Sequence, residues 1–431
     1  MRDAVVLAFL IGCVVMTIKR PWWGVLCLAI FSYMNPHAYA WGFVRTLPVY
    51  QTLFIVAVLV FFTTKDKQRL PKDWRVTTFY CLWAYFFFTT LTAENQFWAW
   101  PKLLEVSKIY APFFLTLMLI NTREKLYYLI ITIAASIGLL GAKAGIWAIG
   151  SGFAYRVYGP EGTQFYENNA FAIAVLMVLP LIVLWIRETA DWRIRYACMA
   201  AIPLCICSVI SSWSRGALLC LGVVGFLLLW HSSRKWLILP IAIAGVVYSV
   251  EFLPEEWFAR MYTLGTYGED ASALGRLQAW ADGWRYVLKH PFTGAGFDGW
   301  RYVTFRDWHS SYVEMLAEHG FIAFAMWLSL MLGSIISLTR LPGLVAHRPD
   351  MAWVKNYSYM VRASLVAYMV GTLFLGLAYW DIFYHMVFIS VLIKKFALEQ
   401  LAEEPDPAFR REAKDKNYAE QFDHSASPHS Y

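Results

Sequence analysis

The chain has 431 residues, of which 59% are apolar, 18% aromatic and only 16% charged. A soluble domain is about half apolar and a quarter charged, so a water-soluble globule is excluded. The formal charge of +7 falls in small Lys/Arg clusters between apolar segments rather than on one face, which argues against a nucleic-acid partner and for charges that set membrane topology.

A bilayer core takes roughly 17 to 25 mostly apolar residues per helix. Candidate spans run over 4–18, 22–35, 49–63, 76–92, 106–120 and 127–149, then 170–186, 196–212, 216–231, 236–252, 313–338, 360–378 and 382–396. Backbone groups in lipid must be satisfied internally, and no series of short alternating strands is present, so helices rather than a barrel are expected. The expected fold is an all-α polytopic membrane bundle of about 12–13 transmembrane helices. Residues 4–18 have the length of a cleaved leader, but Lys19 and Arg20 follow the apolar run instead of preceding it, so the segment reads as the first helix. The cysteines lie in or beside apolar segments and read as small hydrophobes, with no disulfide or zinc framework.

Placing each Lys/Arg cluster in the cytoplasm gives a consistent alternation of sides and a cytoplasmic C-terminus. Residues 1–398 are then the membrane domain, and 399–431, polar and almost without aliphatic side chains, a disordered cytoplasmic tail. No internal repeat is visible, which weighs against a transporter built from inverted halves. Three segments on the extracytoplasmic side are longer than a turn: 93–105, 150–169 and 254–312. The last is the largest loop, and its five tryptophans (Trp257, Trp280, Trp284, Trp300, Trp308) argue for a folded segment lying on the membrane.

Within that loop Leu277, Trp280, Ala281, Trp284, Val287 and Leu288 recur at helical spacing, with Gln278, Asp282, Arg285 and Lys289 opposite. An interfacial helix is expected there, serving either as a membrane-resting anchor or as part of a site. Pro291 ends it, and Gly294, Gly296 and Gly299 in PFTGAGFDGW permit a tight backbone path.

Arg215, in SSWSRGALL, sits between two spans joined by a very short turn. It either snorkels to lipid phosphate or faces a cavity and holds an anion by bidentate hydrogen bonds. Arg276 and Arg156 fall on the same side and are candidates for one anion site. Arg301 and Arg306 add positive charge, with Asp298 and Asp307 beside them as alternative partners. His309 opens HSSYVEMLAEHG at the mouth of the next span; it is either a structural hydrogen-bonding group or, through its imidazole, a base for an acceptor hydroxyl. Glu314 and Glu318 follow it in a place where a carboxylate is costly unless paired, to an arginine or to the histidine. No metal-ligand spacing, nucleotide-binding glycine fingerprint or nucleophile elbow is present, so no metal and no cofactor are expected.

Four patterns in this order, RVYGPEGTQFYENNAFA, SSWSRGALL, GRLQAWADGWRYVLKHPFTGAGFDGW and HSSYVEMLAEHG, resemble the O-antigen ligase and Wzy-type polymerase superfamily of bacterial membrane glycosyltransferases. KDKQRLPKDWR and the aromatic-rich first half look most like the O-glycosylation ligases that accompany the exosortase A system. The resemblance implies a multi-pass protein of the bacterial inner membrane that, at its periplasmic face and without a metal, transfers a glycan from undecaprenyl diphosphate to a hydroxyl of a protein, lipid or glycan acceptor. It implies Arg215 and Arg276 as diphosphate ligands and His309 as the group that activates the acceptor or stabilises the transition state. Arg156, Asn169, Arg301, Arg306 and Glu318 are further substrate-binding candidates. Ser310 stands where members of the family often have Asn. A polymerase acting on a lipid-linked acceptor is the nearest alternative. A flippase for the same glycolipid is one of another class, and a structural membrane scaffold a third; the flippase predicts charges and broken helices near the midplane, whereas the charges here gather at one membrane surface.

Overall fold

The structure, a computed structural model, describes residues 1–262 and 271–403. Among these residues there is no strand. The first half holds α1 (Arg2–Lys19), α2 (Trp22–Met34), α3 (Val49–Thr63), α4 (Trp74–Leu91), α5 (Gln96–Tyr110), α6 (Phe113–Leu119) and α7 (Arg123–Gly150). Then follow α8 (Asn168–Glu188), α9 (Trp192–Ile210), α10 (Arg215–Trp230), α11 (Lys235–Val250), α12 (Glu255–Tyr262), α13 (Ala271–Lys289), α14 (Trp300–Val303), α15 (Ser311–Leu344), α16 (Ala352–Gly371) and α17 (Asp381–Ala402). Of these, α7, α8, α9 and α15 are long and apolar enough to cross a membrane, and α2, α3 and α10 are shorter apolar helices. The chain is an all-α polytopic membrane protein.

Most expected spans coincide with a helix, and three departures have local causes. The span expected over 106–120 is divided: α5 begins at Gln96, capped by the Asn95 side chain, and ends before Pro112, whose ring restarts the chain as α6. The span at 313–338 extends to Leu344 and breaks at Gly320, which has φ 74°. Residues 399–402 of the expected tail continue α17, and 404–431 lie outside the described residues.

Two helices form the centre. Nearly every residue of α8 from Ala170 to Leu184 is buried, as is α17 from Asp381 to Ile393, the pattern of helices surrounded by other helices on all sides. The closest pairing, α7 on α9, follows from GAKAG: a side chain at Gly145 would collide with the Leu204 backbone and one at Gly141 would meet Cys205. Small residues four apart let two helices approach until backbone touches backbone, which supplies dispersion where lipid removes the hydrophobic drive.

The connections gather at two ends of the bundle. At one end Lys125 pairs with Asp66, Arg123 with Glu188, and Lys394 with Asp73. At the other, Arg45 pairs with Glu161, Tyr286 bonds Glu94, and the 153–157 segment bonds the turn after α9. Segments that charge clustering assigns to one side thus touch one another, and the expected site residues lie at the second end.

Candidate active site

Between α9 and α10 the chain turns in four residues, with Trp213 in the left-handed region at φ 57°. Ser214 caps α10 by accepting from the Ala217 amide at 3.2 Å, which makes Arg215 the first helical residue. The 151–167 loop is stitched onto this turn. Val157 donates its amide to the Ser211 carbonyl at 3.0 Å, the Ser211 hydroxyl bonds the Tyr155 carbonyl at 2.8 Å, and the Trp213 indole bonds the Phe153 carbonyl at 3.1 Å. Arg156 consequently lies over the Trp213 ring at 5.8 Å, with its side chain exposed. Of the adjacent asparagines, Asn168 is the buried one and donates to the Ser212 carbonyl at 2.7 Å, whereas the expected Asn169 bonds Glu167 at 2.9 Å. On the other flank, α12 supplies Trp257, which donates to the Ile210 carbonyl, and Arg260, whose Nε donates to the Trp213 carbonyl at 3.0 Å.

Helix α13 lies against α15, but not by the whole expected face. Ala279, Gly283 and Val287 are buried, Gly283 directly under Trp308, while Leu277, Trp284 and Leu288 stay 47%, 50% and 58% exposed. The stripe therefore splits, half packed on protein and half left for an apolar environment. Tyr286 fixes the helix laterally by donating to Glu94 at 3.1 Å; burial first, then its bonds to Tyr302 and Glu94, push its phenol well above the ordinary value. At the start of this helix Arg276 is half-buried, and its Nε is buried without a hydrogen-bond partner. The Arg306 guanidinium packs over the adjacent Gly275. Arg301 stands apart: it is 3.6 Å from Asp298 and stacks on Trp98 and Trp300.

The segment before α15 is held from below. Trp280, one turn after Arg276, donates to the Trp308 carbonyl at 2.7 Å, and the Trp308 indole donates to Glu318 Oε1 at 3.1 Å. Glu318 is only 2% exposed, and its second oxygen accepts from the Tyr379 hydroxyl at 2.7 Å. That hydroxyl also lies 2.9 Å from His319 Nε2, and His319 Nδ1 lies 2.7 Å from the Thr89 hydroxyl. Tyr379 gives its one proton to Glu318, so its oxygen can accept from His319 Nε2, while Nδ1 faces the Thr89 hydroxyl, which also reaches the Phe86 carbonyl at 3.1 Å. His319 is thus a structural histidine inside the bundle. Where an arginine or His309 is the expected carboxylate partner, Glu318 has an indole and a phenol.

His309 follows Trp308 with φ 45°, half-buried, immediately before Ser310 opens α15. The glycine path of PFTGAGFDGW wraps this region. Because α15 breaks at Gly320, the carbonyls of Ala317 and Glu318 are free, and they accept from the amides of Ala295 and Gly296 at 2.9 and 2.8 Å. Lys102 of α5 adds a cation: burial alone would lower its pKa, but Glu105, Asp298 and Glu314 reverse this and raise it.

Arg215 joins the same end through its neighbours. Gly216 rests on Phe374, and the next residue, Leu375, accepts the Ser311 hydroxyl at 2.9 Å, two residues from His309. The structure therefore brings together the α10 start, the α13 start and the 306–311 segment, with Arg156 on the Trp213 flank. Glu318 reaches the group only through Trp308, and Asn169 and Arg301 are engaged by neighbouring carboxylates. Arg260, Lys102 and Tyr379 were not singled out from sequence. An arginine in a loop and a tyrosine between spans acquire meaning only from the turn or the carboxylate they meet. Chemically the arrangement offers clustered guanidinium groups for an anion and an imidazole able to move a proton.

Residues 199–328 match the family described as O-Antigen ligase. Residues 1–190 match a family of unknown function, DUF5935. Curated proteins give no match to the chain.

Proposed function

We infer the function from one premise: the chain carries an O-antigen ligase domain over residues 199–328 and is a membrane protein of that glycosyltransferase type. We propose that it transfers a glycan from a polyprenyl diphosphate, undecaprenyl diphosphate in bacteria, to an acceptor hydroxyl at the extracytoplasmic face of the inner membrane. The observation that carries this reading is Arg276, a half-buried guanidinium whose Nε is buried without a partner, one helical turn from the tryptophan that fixes the His309 segment. A buried unpaired donor is expensive, and an anion that fills it converts that cost into binding.

In this reading Arg276 and Arg215 hold the diphosphate and stabilise the charge that grows on it as the glycosidic C–O bond breaks. His309 takes the proton from the acceptor oxygen as that oxygen attacks the anomeric carbon. The ligase reading is preferred to a flippase because Arg156, Arg260, Arg276 and Arg306 lie at the same end of the bundle as His309. Whether the acceptor is a protein, a lipid or a growing glycan sets ligase apart from polymerase.

The test is reconstitution of the purified protein with a polyprenyl-diphosphate glycan and hydroxyl acceptors. His309→Ala is expected to slow transfer by about a hundred- to ten-thousandfold. Arg276→Ala and Arg215→Ala are expected to slow it by about a hundred- to a thousandfold. Normally folded variants that transfer at the wild-type rate would remove these assignments. Protein-linked product would mark a ligase, longer lipid-linked chains a polymerase, and movement of intact glycolipid across vesicles a flippase.

A further inference from the structure

Two adjoining cavities, each of about 560 Å³, open beside the active-site end but are built from the 1–190 half. This is the size of a small-molecule site. They share Ala38 and Glu161 as a common wall.

The first is a cleft along α7. Gly141 and Gly145 face α9, so Lys143, about 200° round the helix from each, points the other way, into the cleft. It lies seven residues inside the end of a membrane-length helix, a depth of about 10 Å. A lysine there is a functional-site signal, because an ammonium group in that layer is costly unless it meets an anion or water. Arg156 lines the same cleft. Among the described residues neither cation is ion-paired: Lys143 lies over Tyr39 at 5.5 Å and Arg156 over Trp213 at 5.8 Å. The one carboxylate in the wall, Glu161, is engaged by Arg45 at 2.9 Å. Trp147 and Tyr158 complete the lining with exposed rings, the side chains that sit at the lipid–water boundary.

The second cavity has a different chemistry. Ser32, Asn35, Gln51, Thr163 and Gln164 provide amides and hydroxyls, and Phe31 and Tyr50 provide aromatic surface. The Nδ1 of His37, which also lines it, is buried without a partner. Its charges largely cancel, Arg45 with Glu161 and Glu105 with Lys102, leaving Lys108. Hydroxyl and amide groups beside aromatic faces suit a saccharide, which presents many hydroxyls and apolar C–H faces.

We propose that the two cavities together form a second site, for a membrane lipid that carries a phosphate and a saccharide, the phosphate between Lys143 and Arg156 and the sugar against Asn35 and Gln51. Apart from Arg156, which also borders the transfer centre at Trp213, none of its lining residues belongs to the Arg276–His309 group, and the site stands whether or not that centre transfers glycan.

Photocrosslinking tests it, with the full chain in nanodiscs of zwitterionic lipid and three tail-labelled probes: phosphatidylglycerol, polyprenyl phosphate and a polyprenyl-diphosphate oligosaccharide. Mass mapping is expected to find adducts of both polyprenyl probes in peptides from 31–51 and 139–164, strongest for the saccharide-bearing one. Lys143→Glu is expected to cut labelling by all phosphate-bearing probes about tenfold. Asn35→Ala and Gln51→Ala are expected to weaken only the saccharide-bearing probe. Gln51 is exposed, so its variant reads sugar contact even where loss of Asn35 disturbs the fold. Unchanged labelling in Lys143→Glu overturns the phosphate assignment. Labelling by phosphatidylglycerol equal to that of the saccharide probe, with both amide variants silent, overturns the saccharide assignment. Failure of the transfer chemistry appears separately, as normal labelling without product.

Discussion

The Trp308 indole is held by Glu318 and its carbonyl by Trp280, so the residue that follows, His309, inherits its position from two bonds it does not make. Trp308→Phe keeps an aromatic ring, though a smaller one, and removes the indole donor. A misplacement of about 1 Å at a reacting group costs on the order of a hundredfold in rate, so kcat is expected to fall by that order with the KM for donor unchanged. A merely structural role would instead lower thermal stability and leave kcat of the folded fraction intact. At this scale the sequence displayed His309, Arg215 and Arg276 through their motifs, because a charged or titratable group beside an apolar run is conspicuous. It did not display Tyr379 or Thr89. Their hydroxyls matter only because a helix break delivers Glu318 and His319 to them, and that delivery is a tertiary event.

Among the elements, the two special glycines act for opposite reasons. Gly320, at φ 74° and ψ −174°, occupies backbone space that only glycine enters cheaply, and a Cβ there would strike the backbone at Pro291–Phe292. Gly320→Ala is expected to cost roughly 1–3 kcal/mol and to reduce transfer as well, since the break frees the carbonyls that hold the 294–296 path. Gly145→Leu acts on helix approach rather than on backbone angle. Overpacking against Leu204 is expected to cost about 1–3 kcal/mol, read as a lower unfolding temperature in detergent. Helix positions were well legible, since apolar length alone marks a span. The division of the 106–120 segment and the split face of α13 were less so. A proline near the middle of an apolar run does not tell whether the helix kinks or restarts, and periodicity does not say whether an apolar stripe meets protein or lipid.

Across the whole molecule, the opposite end of the bundle is fastened by Arg75, which is 1% exposed and bonds Asp73 at 2.8 Å and Ser390 at 2.8 Å, while Lys394 meets Asp73 at 2.9 Å. Burial disfavours charge on Asp73, but Arg75 and Lys394 overcome it and hold its carboxyl well below the ordinary value. A depressed carboxyl contributes its stability in full above the unfolded-state value and loses it as pH falls through the folded-state value. Unfolding temperature measured downward from pH 5 is therefore expected to fall less steeply in Asp73→Asn than in the parent. Arg75→Ala, which leaves the buried Asp73 carboxylate with Lys394 as its remaining cationic partner, is expected to cost up to about 3–5 kcal/mol at neutral pH. Sidedness is tested by impermeant thiol labelling of single cysteines: Asp307→Cys is expected to react from outside intact spheroplasts and Lys65→Cys only after lysis. Reaction of both from the same side would refute the alternation.

The cluster at Asp73–Arg75 joins α4 to α17, with Ser334 of α15 at 3.4 Å, and the Thr89–His319–Tyr379 chain joins α4, α15 and the approach to α17 at the far end. These three elements are bolted at top and bottom, and sliding one along another would strip buried polar groups of their partners at both levels. They behave as a strut. On the proposed function, a bulky lipid that reaches His309 would travel around that strut, and the parts that yield to it would belong to the other helices.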